Sequence, residues 1–364
     1  MRLKELMQAL EGIAPFSLQE SYDNSGIQIG SPDQEISRAL ICLDVTEKVL
    51  REAKERKCDL ILCHHPLIFK GITRLTAANA TERIIMEAVR QGIAIVAVHT
   101  NLDNVYDGVN NKLASVIGLK NLKVLKPSKG LLKKLVTFCP TEHADKVRAA
   151  IFEAGAGKIG DYDCCSFNLE GKGSFRAGEN TNPYTGSINE LHYEPEVRIE
   201  TIFPAYLQPA VLSAMFASHP YEEVAYDIYP LDNLFNKVGS GMIGDFDTPM
   251  SEKGFLEHLK KTLNISFLRH TAFIDQPVSR VAVCGGSGAF LLPDAMKAGV
   301  QAFVTGDVKY HQFFEADRKI LLIDAGHYET EQHTKELLHS QIKKKLTNFA
   351  LLISEVDENP VLYY

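Results

Sequence analysis

The 364-residue sequence has no Cys-x-x-Cys pair, no Gly-x-x-x-x-Gly-Lys-Ser/Thr loop and no excess of positive charge. Nor does any apolar run approach the roughly 20 residues that span a bilayer. Each absence excludes something. The seven cysteines are an odd number and scattered, which argues against a disulfide framework and a zinc ribbon and fits a reducing, cytoplasmic location. Without the phosphate-cradling loop, ordinary NTPase chemistry is not expected. Lys and Arg number 39 against 46 Asp and Glu, a net charge of −7, so a nucleic-acid partner is not expected. The lysines between Lys120 and Lys134 read as a solvated face. Met1-Arg2-Leu3-Lys4-Glu5 carries charges inside its apolar stretch and predicts an amphipathic helix, not a signal peptide.

What is present is an ordinary globular composition, 45% hydrophobic and 23% charged, with a length that predicts two or three domains. Its organising feature is Cys63-His64-His65-Pro66, which closes the apolar run Leu60-Ile61-Leu62. That run predicts a buried strand, and imidazole is costly to bury without a partner. Pro66 biases His65 towards an extended conformation, so both rings can enter one pocket at the strand's carboxyl edge. An exposed loop is the plainer alternative; histidine's standing as the commonest metal ligand favours a site.

Three strand–helix units run through the first third. Strands are predicted at Ala39–Leu43, Asp59–Cys63 and Ile93–Val98. Polar residues follow each strand: Asp44, His64-His65, and His99 with Asp103. In parallel α/β sheets ligands bind outside the carboxyl ends of strands, which joins these into one candidate site. The earlier segment Asp23-Asn24-Ser25-Gly26 reads either as a surface turn or as a site loop with Asn24 as a polar contact. From about Lys126 the order becomes β-α-β-β-α-β, which is ferredoxin-like. Within it Val197, Ile199 and Thr201 fall on one side of a strand. The first pattern returns from about Lys237, and the two separated parts are expected to share one mostly parallel sheet. Gly285-Gly286-Ser287-Gly288 follows a predicted strand and could cradle an anion or simply allow a tight turn. His327 and Glu331 share one face of a long helix predicted to run to Leu346. A surface ion pair is one reading of them; their place after the strand Ile320–Ile323 favours a metal.

Taken together, Asp23-Asn24-Ser25-Gly26, His64-His65-Pro66, His99-Thr100-Asn101-Leu102-Asp103, Gly285–Gly288, Thr305-Gly306-Asp307 and Gly326-His327-Tyr328-Glu329-Thr330-Glu331 resemble the GTP cyclohydrolase 1 type 2 homologues. The motifs keep that family's order and span nearly the whole chain, with Tyr22 standing where many members have Trp. The resemblance implies a discontinuous α/β metal-binding core, 1–125 and 236–364, and an inserted ferredoxin-like, CutA-like α+β domain, 126–235. It implies two divalent metal ions per subunit, with His64, His65, Asp103, His327 and Glu331 as ligands and Glu331 as the bridge. Such a donor set suits Zn²⁺, Mn²⁺ or Fe²⁺. His99 would lie behind the ligands or act as a catalytic proton shuttle. A toroidal homohexamer is implied as well.

The family name implies a metal-dependent hydrolase that opens the imidazole ring of GTP, or acts on another small nucleotide-like substrate. Paired ions can acidify a bound water and stabilise a developing oxyanion. The alternative is a non-enzymatic metal-carrying ring that binds a protein or nucleotide partner.

Overall fold

The computed structural model describes residues 1–356 and 359–362. It divides into two compact units, 1–127 with 236–364, and 128–235. In chain order the strands are β1 (Gly26–Ile29), β2 (Arg38–Cys42), β3 (Leu60–Cys63), β4 (Ala94–Ala97), β5 (Lys120–Ser128), β6 (Leu132–Pro140), β7 (Ser166–Arg176) and β8 (Leu191–Pro204). They continue with β9 (Tyr226–Leu231), β10 (Phe235–Met250), β11 (Arg269–His270), β12 (Val278–Ser287), β13 (Ala302–Gly306), β14 (Leu321–Asp324) and β15 (Ala350–Ile353).

The first unit holds two sheets, not the single shared sheet expected from the sequence. One has the order β1-β4-β3-β2-β15, the other β11-β14-β13-β12-β10-β5. Each part of the chain builds most of one sheet and lends one strand to the other: β15 pairs parallel with β2, and β5 lies beside β10. The lysine-rich β5 and the glycine-containing β10 lack a continuous apolar run, so neither announces itself as a strand. The central strands β2, β3 and β4 are mutually parallel, as are β12, β13 and β14, while β1, β10 and β11 pair antiparallel.

Strand alternation explains why the first sheet is apolar on both faces. Ile41, Leu60, Leu62 and Val96 pack with Leu3, Leu6 and Leu10 of the helix Leu3–Glu11 and with Leu338 and Ile342 of Thr334–Lys345. The residues between them, Leu40, Ile61, Cys63 and Ile95, pack on the other side with Val49 and Ala53 of Glu47–Glu55 and Ile84 and Ala88 of Ala80–Gln91. Burying both faces leaves the strand ends as the place where polar side chains can gather. The long helix expected after residue 329 is broken. A short helix, His327–Glu331, precedes Thr334–Lys345. Between them Gln332 turns its side chain to the Leu263 carbonyl (2.9 Å).

The second unit is one antiparallel sheet of order β7-β8-β6-β9 with helices Ala144–Glu153 and Gln208–Ser218. Val147, Ile151, Val211 and Met215 of those helices cover one face through Leu135, Val197, Ile199 and Phe203. The element order is β-α-β-β-α-β.

Candidate metal centre

The site lies in the first unit, where strands of both sheets end. His64 and His65 follow β3. His99 follows β4 and leads into the short helix Thr100–Asn104, which carries Asp103. His327 and Glu331 begin and end the helix after β14. These six residues, distant in sequence, form one cluster. The His65 ring lies 4.9 Å from that of His64, 5.1 Å from His327 and 5.4 Å from His99. Glu331 is buried, and its Oε2 lies 3.0 Å from Nε2 of both His65 and His327.

Every ring is held from behind through Nδ1. His64 bonds to the Val98 carbonyl (2.8 Å), His65 to Asp44 (3.0 Å), His327 to Asp307 (2.7 Å) and His99 to Asp23 (2.8 Å). Such backing fixes tautomer and orientation, and it is the usual arrangement behind metal-ligating imidazoles. His64 is the sharpest case. A carbonyl can only accept, so Nδ1 of the fully buried His64 donates and Nε2 is the atom turned to the cluster. That Nε2 makes no hydrogen bond, and it faces Asp103 Oδ1 at 3.6 Å and Glu331 Oε1 at 3.9 Å. A buried ring nitrogen without a partner beside two carboxylate oxygens is a place where a cation would fit.

The electrostatics agree. Burial opposes charge on His65 and His327, but hydrogen bonds to Asp44 and Glu331, and to Glu331 and Asp307, push them up to about 10 and about 9. Burial and the neighbouring Glu331 push Asp103 up to about 7. Burial works against the charge on Glu331 as well, yet the surrounding imidazoles hold its carboxyl well below the usual range. The cluster therefore draws positive charge, which protons or metal ions can supply. Three groups have donor atoms all within 4.8 Å of one another and could hold a metal: His64-His65-His99, His65-His327-Glu331 and His64-Asp103-Glu331. Glu331 belongs to two of them. The donor set, imidazole nitrogen with carboxylate oxygen, fits borderline divalent ions.

The structure brings together all six residues singled out from the sequence, and adds Asp23 and Asp307. Asp23 is fully buried. Hydrogen bonds from His99 and Thr100 outweigh that burial and hold its carboxyl well below the usual range. In the sequence Asp23 is an acid at the head of a polar turn, where acids are common, so nothing there sets it above Asn24. Asn24 instead ties its loop to the Ile68 carbonyl (2.6 Å). Asp307 ends a strand with φ 52°, a conformation that turns its carboxylate to His327. The Gly285–Gly288 stretch is no anion cradle. Its amides donate to Asn110, Thr330 and Thr305, from Gly285 (2.9 Å), Gly286 (3.0 Å) and Gly288 (2.9 Å). Its glycines serve close approach: at Gly286, φ +58°, any side chain would collide with the Glu331 carboxylate. A cavity of about 780 Å³ opens beside His65 and His327, with Phe267 and Arg269 on its wall.

Strand ends of an α/β fold that gather three imidazoles around a shared carboxylate, with a fourth beside them, define a protein with a candidate multi-metal centre. The chain belongs to the Duf34/NIF3 (NGG1p interacting factor 3) family, whose model matches residues 1–360. It is 36% identical over 370 residues to the Bacillus subtilis protein named GTP cyclohydrolase 1 type 2 homolog, covering 99% of this chain and 98% of that one. The protein of the same name from Halalkalibacterium halodurans is 39% identical over 363 residues, with 98% of each chain covered. Among solved structures, a Bacillus cereus protein related to NIF3 superposes with a TM-score of 0.89 at 37% identity, covering 100% of this chain and 99% of that one. Among the described residues no helix is long and apolar enough to cross a membrane.

Proposed function

We propose that the first unit is a dinuclear metal-dependent hydrolase. The observation that carries this reading is the buried Nε2 of His64, which makes no hydrogen bond and faces Asp103 and Glu331. His64, Asp103 and Glu331 would hold one divalent ion, and His65, His327 and Glu331 the other, with Zn²⁺, Mn²⁺ and Fe²⁺ the ions this donor set suits. Such ions would supply Lewis acidity and lower the pKa of water. The chain supplies the rest. Asp44, Asp307 and the Val98 carbonyl aim the imidazoles. Asp23 holds the Nδ1 proton of His99 and leaves Nε2 to take or give a proton at the site. The adjoining cavity is within the size range of ligand pockets. Phe267 can stack on a flat ring, and Arg269, which pairs with Asp324, stands on the same wall. This suits GTP, which the relatives' name carries, or another nucleotide-like substrate.

As a further part of this reading, the protein is a cytoplasmic homohexamer, which light scattering on the purified protein tests, and the second unit is a CutA-like insertion, which its β-α-β-β-α-β order supports. The deciding experiment measures metal content together with formate release from GTP, with and without chelator. Stoichiometric metal with chelator-sensitive release is the expected result. Two bound metals without turnover of GTP or related nucleotides would refute the hydrolase and leave a metal-carrying ring that binds a partner.

A further inference from the structure

The second unit contains a cavity of about 610 Å³ that the metal chemistry does not use. It lies on the sheet face turned away from the two helices. Register places Gly171 opposite Glu196 and Gly173 opposite Glu194 on that face, because Val197 and Ile199 point to the helices. The alternation Gly-x-Gly-x-Phe from Gly171 to Phe175 therefore makes a floor of bare backbone beside one aromatic ring. At Gly173 any side chain would collide with the Glu196 carboxylate.

Three rings form adjoining walls. Phe175 and Tyr221 lie 6.2 Å apart at 61°, and Tyr184 and Tyr221 lie 6.2 Å apart at 48°. The walls are fixed in place. The Tyr184 hydroxyl bonds to Glu142 and His143, each at 2.8 Å. The next residue, Thr185, donates to Glu194 (3.2 Å), and the Asn182 amide donates to Glu222 (2.9 Å). Tyr221 donates its hydroxyl to Glu196 Oε1 (2.8 Å). Burial and that carboxylate push the Tyr221 hydroxyl far above its ordinary range, so it stays a donor. The Glu196 carboxylate thus lies at the foot of the rings, and Glu222 and Glu223 stand at the rim.

Three cations, Lys172, Arg176 and Arg198, also line the cavity, and two of them are engaged. Arg198 pairs with Glu200 (2.9 Å), and Lys172 rests on the Tyr193 ring (4.5 Å). Arg198 also lies 5.9 Å over Phe138, so one wall already carries a cation on its face. Aromatic faces around a carboxylate attract cations that are poorly hydrated and apolar at the surface, which organic ammonium ions are and metal ions are not.

We infer that the second unit carries a binding site for an organic ammonium ion, formed by Phe175, Tyr184, Tyr221 and Glu196. The test is calorimetric titration of the full, metal-loaded chain with choline, and with 3,3-dimethylbutan-1-ol, its uncharged isostere. Choline is expected to saturate one site per chain, with the isostere at least about tenfold weaker. Glu196→Gln keeps the shape, removes the charge and should weaken choline by about tenfold or more. Should that variant fail to fold, Tyr184→Ala, in a half-exposed wall, gives the same reading with less risk. Metal content of the first unit is expected to stay unchanged in both. Equal affinity for choline and the isostere, undiminished choline binding in the variants, or no saturable choline binding would each overturn the inference.

Discussion

Gly286→Ala separates close approach from backbone strain at the metal centre. Gly286 sits at φ +58°, where a Cβ costs roughly 1–2 kcal/mol. Here the Cβ would also strike Glu331 Oε1, with the Glu331 carboxyl carbon and His327 Cε1 each 3.1 Å away. Glu331 cannot withdraw without leaving His65 and His327, which hold its Oε2 at 3.0 Å each. Gly299 is the control. Its φ is +68° with nothing within 4 Å of the added methyl, so Gly299→Ala carries the strain alone. Gly299→Ala should lose about 1–2 kcal/mol in urea unfolding measured without metal, and Gly286→Ala more. Only Gly286→Ala should lose metal, and because Glu331 belongs to two of the three donor groups, more than one ion per chain is at stake. Elemental analysis after dialysis reads this directly. Full metal content in Gly286→Ala would refute the placement of Glu331 at the centre of the site.

Asp44→Ala and Asp307→Ala remove the carboxylates behind His65 and His327, and each should weaken metal affinity by about 10–100-fold in competition with a chromogenic chelator. Chelator should also lower the melting temperature of the parent protein, because ligands that bind only the folded state stabilise it; equal melting curves with and without metal would contradict a folded-state site. In the second unit, burial holds His219 below its ordinary 6.5 while its ring bonds to the Phe138 carbonyl (2.9 Å). The unfolded chain then binds the extra proton first, so this contribution is complete above about 6.5 and is lost as pH falls towards the lower folded value. Urea midpoints should drop less on acidification in His219→Gln than in the parent. Excision of 129–234 with a short linker should leave a folded core that retains its metals, since the backbone at Gly239 lies against Lys126 and Pro127 and the cut ends are near each other. An unfolded excision product would show that the segment is integral to the core.

Much of the site was legible because its chemistry is covalently local to strand ends. His64-His65 follows an apolar run, and such a run has one dominant reading, a buried parallel strand. The same holds for β4 with His99 and for β14 with His327. What the sequence hid were elements whose burial is one-sided or absent. β5 has lysines at Lys120, Lys123 and Lys126 and only Val124 buried, so its pattern looks like a solvated face although its backbone closes the second sheet. β10 mixes glycine and polar residues over Phe235–Met250 and is held by pairing with β12. With both of these strands unseen, two sheets read as one.

The groups behind the ligands were hidden for a different reason. Val98 presents a backbone carbonyl, which every residue has, and Asp23 and Asp307 are single acids in turns, where acids are common. Their meaning comes only from the ring each one touches. Yet they decide the chemistry. The Val98 carbonyl takes Nδ1 of His64 and leaves Nε2 turned to the cluster, and Asp44 and Asp307 compel His65 and His327 to present Nε2 inwards. Without those acceptors the same histidines could turn and satisfy one another or Glu331 as ordinary hydrogen-bond partners. The candidate site is thus specified at two levels: strand ends deliver the residue types, and the acceptors behind them determine which atom of each ring faces the centre of the cluster.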